Sequence, residues 1–227
     1  MKNAYVIMSR IPLSGKTKTR LMPFLSGDEC ASLHTAFLKD LFNMSYELKD
    51  CSDIYLTYLN DGNVENLIHI APSFIDFYPQ KGKSLGEKMN NSIKFLLNKG
   101  YEKVVLTGCD IPTLNSEIIK NAFKVLDSKD IVIGPTFDGG YYLIGCKNFI
   151  DDVLLCPIRW SNFDVFENTL QIIKNNNKNY GIVEKISDID TFEDLLYFKS
   201  TATKDSNALS FVEKLKVEER IIYENRV

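Results

Sequence analysis

Short runs of β-branched and aromatic residues recur along the chain, and helical patterns lie between several of them. Each run has the length and composition of a β-strand. The seven strand candidates span residues 4–8, 53–59, 74–78, 103–107, 130–134, 141–145 and 182–186. Between them, apolar residues spaced three or four apart predict helices. Such positions include Cys30, Leu33, Phe37, Leu41, Met44 and Leu48, then Met89, Ile93, Leu96 and Leu97, then Ile118, Ala122, Phe123 and Leu126.

The strand candidates at 103–107 and 130–134 are apolar at successive positions, so they lack the alternation of a half-exposed strand. Such runs are typical of central strands in a parallel sheet that helices cover on both faces. We therefore predict an α/β fold with a Rossmann-like, mostly parallel mixed sheet and helices on both faces. Two helix starts are predicted from capping-box spacing: Ser84 with Glu87, and Asp190 with Glu193.

The composition is that of an ordinary globular protein, with 25% charged and 44% hydrophobic residues among 227. The net charge of -3 argues against a nucleic-acid partner, because phosphate backbones are bound by clustered positive charge. No apolar run reaches about 18 residues, so we expect no membrane partner. The first apolar stretch turns to Arg10 and Pro12 too soon for a signal peptide, and we predict a cytoplasmic protein.

The five cysteines are odd in number and form no C-x-x-C pair, so neither a disulfide framework nor a zinc knuckle is indicated. Reduced thiols are expected. The two histidines are His34 and His69. His34 falls on the apolar face of a helical pattern, and we interpret both as structural residues rather than metal ligands.

A change of composition near residue 200 suggests a division of the chain. Residues 1–199 carry the strand and helix pattern, and we assign them to one nucleotide-binding domain. Residues 200–227 begin with the polar stretch "STATKDSN" and end in a helical pattern that carries Val212, Leu215, Ile221 and Ile222. This C-terminal helix either packs back on the domain or forms a contact in a homodimer.

The stretch "SRIPLSGKTKTRL", residues 9–21, directly follows the first predicted strand. It ends like a Walker A loop, but that loop needs a glycine at position 10, where this chain has Arg10. Because ligands enter an α/β sheet at the carboxyl ends of its strands, a cationic loop here favours an anionic ligand; a solvated basic loop is the alternative. The residues predicted to bind a nucleotide here are Ser9, Arg10, Gly15, Lys16, Thr19 and Arg20, and Lys18 is predicted to be catalytic.

Aspartates follow other predicted strands. Asp110 follows 103–107 and is predicted to be catalytic and to bind Mg²⁺ (or Mn²⁺), since such ions take hard oxygen ligands. Asp188 or Asp190 is predicted to complete that metal site. As alternatives, Asp110 would form a turn and Asp190 would cap a helix.

Two further segments supply candidates for substrate binding. In "FDGGYYLIG", Asp138 could accept a proton from an acceptor hydroxyl, or the segment could simply form a tight hairpin. In "PQKGKSLGEKM", polar and backbone groups could read a base edge or a ribose. The predicted nucleotide-binding residues of this second segment are Gln80, Gly82, Leu85 and Gly86.

These motifs together resemble bacterial glycosyltransferase-like proteins of the nucleotide-diphospho-sugar transferase (GT-A) superfamily, some associated with arsenosugar biosynthesis. Phospholactate guanylyltransferases and molybdenum-cofactor nucleotidyltransferases are related to them. The resemblance covers residues 1–198 through Arg10, Pro12, Gly15, Lys18, Thr19, Arg20 and Leu21, "QKGKSLGEKM", "GCDIPTL", "GPTFDGGYYLIG", "RWS" at 159–161 and "DIDTFEDL".

The resemblance implies a Rossmann-like sheet with a nucleotide beside the first loop and Asp110 in place of the D-x-D metal aspartate of many GT-A enzymes. It also implies an acceptor site that includes Gly139, Gly140, Tyr141 and Trp160. The predicted function is a Mg²⁺-dependent transferase that acts on an activated nucleotide and a small-molecule acceptor. A glycosyltransferase using a nucleotide sugar is the first reading, and a nucleotidyltransferase using a nucleoside triphosphate is the alternative. A non-catalytic nucleotide-binding protein is the alternative from another class.

Overall fold

The computed structural model describes residues 2–157, 164–202 and 206–217 of the chain. Within these residues, seven strands form one mixed sheet in the order β3-β2-β1-β4-β6-β5-β7. The strands are β1 (Asn3–Ser9), β2 (Asp53–Tyr58), β3 (Ile75–Pro79), β4 (Lys103–Thr107), β5 (Ile131–Pro135), β6 (Tyr141–Cys146) and β7 (Tyr180–Ile182).

Most neighbouring strands of the sheet run parallel. β1 pairs in parallel with β2 on one side and β4 on the other, while β6 runs antiparallel to both β4 and β5. The chain moves from β1 outward to β3 and then returns to place β4 beside β1. This reversal of strand order opens a crevice at the carboxyl ends of β1 and β4, which is where ligands bind in open α/β sheets.

The helices are α1 (Gly27–Ser45), α2 (Glu65–Ile68), α3 (Leu85–Asn98), α4 (Ser116–Ser128), α5 (Asp151–Leu154), α6 (Val165–Asn175), α7 (Phe192–Thr201) and α8 (Asn207–Leu215). Apolar side chains on the two sides of the sheet form two separate buried clusters. One lies under α1 and α4, and the other under α3, α5 and α6. The predicted fold, a mixed sheet with helices on both faces, is therefore confirmed.

Two local predictions were wrong. The last predicted strand, 182–186, lies mostly after β7, and Ile186 forms only an isolated bridge with Thr136. The helix predicted to start at Asp190 has Thr191 as its N-cap, and Thr191 and Asp194 form its capping box. Both a threonine hydroxyl and an aspartate carboxylate can cap a helix, so spacing alone could not choose between these adjacent starts.

A third apolar cluster joins the end of the chain to the loop after β1. Leu21 and Leu25 from that loop pack with Ile189 and with residues of α1, α7 and α8. The α8 contribution includes Ala208, Val212 and Leu215. In the described residues no helix is long and apolar enough to cross a bilayer.

Candidate functional site

The loop after β1 leaves the sheet at the crevice and bends back over it. Gly15 has a φ of 74°, a backbone conformation that favours glycine. The first residue of α1, Gly27, lies so close to this bend that a side chain would meet Gly15 N at 2.8 Å. The glycines therefore let the loop and the start of α1 approach each other, and the loop is fixed against the helix.

Lys18 is buried within this loop, and its side chain is only 3% exposed. Its ammonium lies 2.7 Å from Asp110 Oδ1 and 3.5 Å from Asp190 Oδ1, and it also donates to the carbonyl of Ile189. Burial alone would lower the pKa of Lys18, but the two carboxylates raise it. Lys18 is therefore a permanent positive charge that holds the Asp110 and Asp190 loops together.

The other cations of the loop face solvent or the cleft. Arg10 and Lys16 are exposed, and Arg20 is 67% exposed with its NH1 3.0 Å from Asp190 Oδ2. Lys88, on the first turns of α3, lines the cleft from the opposite side. These four side chains, unlike Lys18, can reach an anion in the cleft.

Several carboxylates converge at the same edge of the sheet. Asp110 and Asp190 contact Lys18, whereas Asp188 lines the cleft without any such contact described for it. Burial raises the pKa of Asp188 to about 6, and the nearby charges of Asp138, Asp190 and Asp110 add to this rise. Burial would also raise the pKa of Asp110, but the charge of Lys18 holds it below its ordinary value. Of Asp110 and Asp188, Asp188 is therefore the carboxylate whose ionised form is destabilised in the folded protein.

The loop between β5 and β6 is a tight turn built around Asp138. Asp138 Oδ1 accepts hydrogen bonds from Thr136 Oγ1 at 2.5 Å and from Gly140 N at 3.0 Å. Gly139 has a φ of 91°. The predicted hairpin geometry is thus present, and Thr136 and Tyr141 on either side of it line the cleft.

The predicted base-binding segment begins at the end of β3. Gln80 Nε2 donates to the carbonyls of Ser9 at 2.9 Å and Thr57 at 3.1 Å, which ties the ends of β1 and β2 together. Its side-chain oxygen is thereby turned away from these carbonyls, and Gln80 lines the cleft. Gly82 has a φ of 123°, and Leu85 at the start of α3 is 44% exposed. The segment offers one acceptor and an apolar surface.

The floor of the cleft holds a histidine to which the sequence assigned no part in the site. His34 Nε2 of α1 lies 2.9 Å from Ser9 Oγ and 3.7 Å from Cys109 Sγ. Burial lowers the pKa of His34 to about 4, so the imidazole is neutral at pH 7. His34 was interpreted as structural from its apolar helix face; only the packing of α1 against β1 and β4 places it beside Asp110.

The cleft has a volume of about 670 Å³, which is within the usual range for a small-molecule site. The predicted residues that line it are Ser9, Arg10, Lys16, Lys18, Thr19, Arg20, Gln80, Leu85, Asp110, Tyr141, Asp188 and Asp190. Gly15, Gly82, Asp138, Gly139 and Gly140 belong to its supporting loops, and Gly86 is buried in the first turn of α3. Trp160 lies outside the described residues. The lining residues that sequence reasoning missed include His34, Lys88, Cys109 and Thr136. The last three lie within the quoted motifs "QKGKSLGEKM", "GCDIPTL" and "GPTFDGGYYLIG".

Comparisons with known proteins agree with this architecture. Residues 43–162 match the protein family described as "Uncharacterized protein conserved in bacteria (DUF2064)". A 2-phospho-L-lactate guanylyltransferase of Methanocaldococcus jannaschii is 29% identical in sequence, and the match covers 82% of this chain and 79% of the relative.

Solved structures show the same fold. A protein of Desulfovibrio desulfuricans G20, provisionally described as a nucleotide-diphospho-sugar transferase, is 30% identical with a TM-score of 0.86, over 96% of this chain and 97% of that one. A 4-diphosphocytidyl-2C-methyl-D-erythritol synthase of Anaerococcus prevotii is 14% identical with a TM-score of 0.56, over 93% and 96% of the two chains, and shares the fold alone. The predicted relationship to the GT-A-like nucleotidyltransferase superfamily is confirmed.

Proposed function

This chain belongs to the bacterial protein family DUF2064, and on that premise we propose that it transfers a nucleotidyl group from a nucleoside triphosphate to a small phosphorylated acceptor. It is a transferase, as the names of its relatives indicate. The names of the curated relatives, which are guanylyltransferases for a phosphorylated acid, favour nucleotidyl transfer over the glycosyl transfer that the sequence first suggested. GTP is therefore the first donor to test.

The observation that carries this proposal is the arrangement of opposite charges across the cleft. Exposed cations of the first loop and Lys88 line the cleft together with Asp110 and Asp188. A triphosphate chain needs both parts: cations to bind its oxygens, and carboxylates to hold a divalent ion against them. The crevice between β1 and β4 is also where the fold binds ligands.

The carboxylate group fits a divalent metal ion. Burial raises the pKa of Asp188 and nearby carboxylates add to the rise, and an ion with two positive charges would stabilise the ionised carboxylate against both. Asp190 is paired with two cations, Arg20 and Lys18. In the described residues Asp110 is paired with Lys18 alone and Asp188 with no cation, so these two are the better ligands. When bound, Mg²⁺ or Mn²⁺ would supply neutralisation of phosphate charge and polarisation of the phosphoryl oxygens.

The protein side chains would bind, orient and stabilise the reacting groups. A phosphate oxygen of the acceptor attacks the α-phosphorus; the bond from that phosphorus to the bridging oxygen breaks, and pyrophosphate leaves. Arg10, Lys16, Arg20 and Lys88 would stabilise the negative charge that develops on pyrophosphate. Lys18 would act by fixing Asp110, because its ammonium is already bound to that carboxylate.

The test is an assay of pyrophosphate release with purified protein, Mg²⁺, each of the four nucleoside triphosphates, and a panel of small phosphorylated carboxylic acids. We expect pyrophosphate and a nucleoside-diphosphate-linked product in equal amounts, with the rate reduced at least about a hundredfold in Asp110→Asn. Release of a nucleoside diphosphate from nucleotide sugars, with no pyrophosphate from any triphosphate, would instead support glycosyl transfer.

A binding experiment tests the phosphate site independently of turnover. A nucleotide that binds only the native state should raise the melting temperature. Lys88→Met and Lys16→Met should weaken this stabilisation, whereas Lys124→Met, an exposed lysine on α4, should leave it unchanged. Equal stabilisation in all three variants would contradict the proposed phosphate site.

A further inference from the structure

The floor of the cleft brings together three side chains that are ligands for a softer metal ion than Mg²⁺. His34 Nε2, Cys109 Sγ and a carboxylate oxygen of Asp110 all lie within 4.8 Å of one another. His34 comes from α1, while Cys109 and Asp110 follow β4. All three line the cleft, so an ion can enter from solvent.

The spacing of these atoms is close to that of a tetrahedral zinc site. The Nε2 to Sγ distance is 3.7 Å, and the Sγ to Oδ1 distance is 3.6 Å. Zinc bonds of about 2.3 Å to sulfur and about 2.0 Å to nitrogen or oxygen, at tetrahedral angles, place the ligand atoms about 3.5 Å apart. These two distances are within a few tenths of an ångström of that spacing, and His34 Nε2 would exchange its contact with Ser9 Oγ for the ion.

The donor set also selects the ion. A thiolate and an imidazole favour zinc, whereas Mg²⁺ takes oxygen ligands almost alone. Lys18 places one positive charge against Asp110, and the charges of Lys18 and Arg10 also act on His34. Zinc therefore binds Asp110 in competition with the Lys18 ammonium.

We propose that His34, Cys109 and Asp110 form a zinc-binding site at the floor of the cleft, with the fourth position open to water. Binding replaces the S–H bond of Cys109 with a zinc–sulfur bond and releases the proton to solvent. The neutral imidazole of His34 donates the lone pair of Nε2. Because Asp110 is shared, zinc at this site removes a ligand from the magnesium site, so zinc inhibits the transferase; this consequence, unlike the binding, rests on the proposed function.

The direct test is a zinc titration against a chromogenic chelator, without nucleotide, on the full chain. Wild type should bind one equivalent, and Cys109→Ser and His34→Gln should each weaken binding at least about tenfold. Cys51→Ser and His69→Gln are the matched controls, since they remove an exposed thiol and an exposed imidazole that could bind zinc adventitiously. Loss of binding in a control, with retention in Cys109→Ser, would overturn the proposal.

Cobalt gives a second measurement that does not depend on how well the His34 variant folds. Wild type with Co²⁺ should show the thiolate-to-cobalt charge-transfer band of a tetrahedral site; Cys109→Ser should lack it, and Cys51→Ser should keep it. Absence of this band in wild type would refute the site. Zinc binding without inhibition of pyrophosphate release would leave the site standing and contradict only its regulatory role.

Discussion

At the scale of single residues, neighbours of the same type have opposite environments. Lys16 is exposed, whereas Lys18, two positions later, is 3% exposed and bonded to two carboxylates. Asp190 is paired with Lys18 and Arg20, whereas Asp188 has a raised pKa. The role of each lysine or aspartate in this site therefore cannot be predicted from its position in the motif.

Replacing Lys18 should test its structural role. Lys18→Met leaves Asp110 and Asp190 without their buried counter-charge, and we expect the free energy of unfolding to fall by about 3–5 kcal/mol. Lys16→Met is the matched control and should change stability by less than about 0.5 kcal/mol, because its ammonium is exposed. Urea unfolding measures both. Equal stability of the two variants would contradict the role of Lys18 as a buried link.

Replacing Asp188 should raise the free energy of unfolding, whereas replacing Lys18 should lower it. Its folded-state pKa of about 6 is above the ordinary value of 3.8, so the folded protein binds protons more readily between these pH values, and the ionised carboxylate costs stability at pH 7. We expect Asp188→Asn to stabilise the metal-free protein by about 1 kcal/mol at pH 7 and to lose that advantage as the pH falls to 4.

The matched comparison for that change is Asp190→Asn, which breaks the pairs with Lys18 and Arg20 and should destabilise the protein at pH 7. Urea unfolding at pH 7 and at pH 4 distinguishes the two variants. If Asp188→Asn destabilised the protein at pH 7, the ionised carboxylate of Asp188 would not cost stability, and the prediction would be wrong.

At the scale of elements, helix ends are fixed by contacts that local sequence reveals only in part. Ser84 caps α3 as its spacing predicts, and its hydroxyl accepts from Glu87 N at 3.1 Å. The start of α8 is capped by Ser206 and also by Asp40 of α1, which is distant in sequence. A cap by a residue of the same short motif, such as Ser84, can be predicted from local sequence. A cap by a distant residue, such as Asp40, depends on how two helices pack.

Asp40 should therefore govern the docking of α8. Its carboxylate accepts from Asn207 N, Asn207 Nδ2 and Ala208 N, each at 2.8 Å. We expect Asp40→Ala to destabilise the protein by about 1–2 kcal/mol and to speed amide hydrogen exchange in α8 more than in α4. The exposed neighbour Lys39→Ala is the control. Unchanged exchange in α8 would mean that the apolar contacts alone hold it.

At the scale of the whole molecule, the C-terminal helix and the cationic loop share one apolar cluster. Leu21 and Ile189, which flank the Lys18 contacts, pack in the same cluster as Val212 and Leu215. We proposed that residues 1–199 form the nucleotide-binding domain and that residues 200–227 include an accessory helix. We expect that helix to support the nucleotide-binding loop. The apolar face of α8 in the described residues is buried on its own chain, which favours packing back over a dimer contact.

Removing residues 203–227 should test this support. The truncated chain loses the burial of Val212 and Leu215, and we expect the free energy of unfolding to fall by roughly 4 kcal/mol. Nucleotide-dependent stabilisation should also weaken, since the Leu21 and Ile189 contacts loosen. A truncated chain that binds nucleotide as tightly as the full chain would show that the tail has no role in the site.

The sequence by itself determined strands β1 to β6, helices α1, α3 and α4, the mixed α/β sheet and the loops at its carboxyl edge, because apolar periodicity and caps act over a few residues. It did not indicate α2, α5 or α6. It misplaced β7 and the start of α7, where neighbouring positions have similar propensities. Only the tertiary structure decided which charges pair, which carboxylate has a raised pKa, and that His34 lies beside Cys109. The reason is physical: burial and Coulomb interaction depend on distances between side chains, and Lys18 lies 171 positions from its partner Ile189.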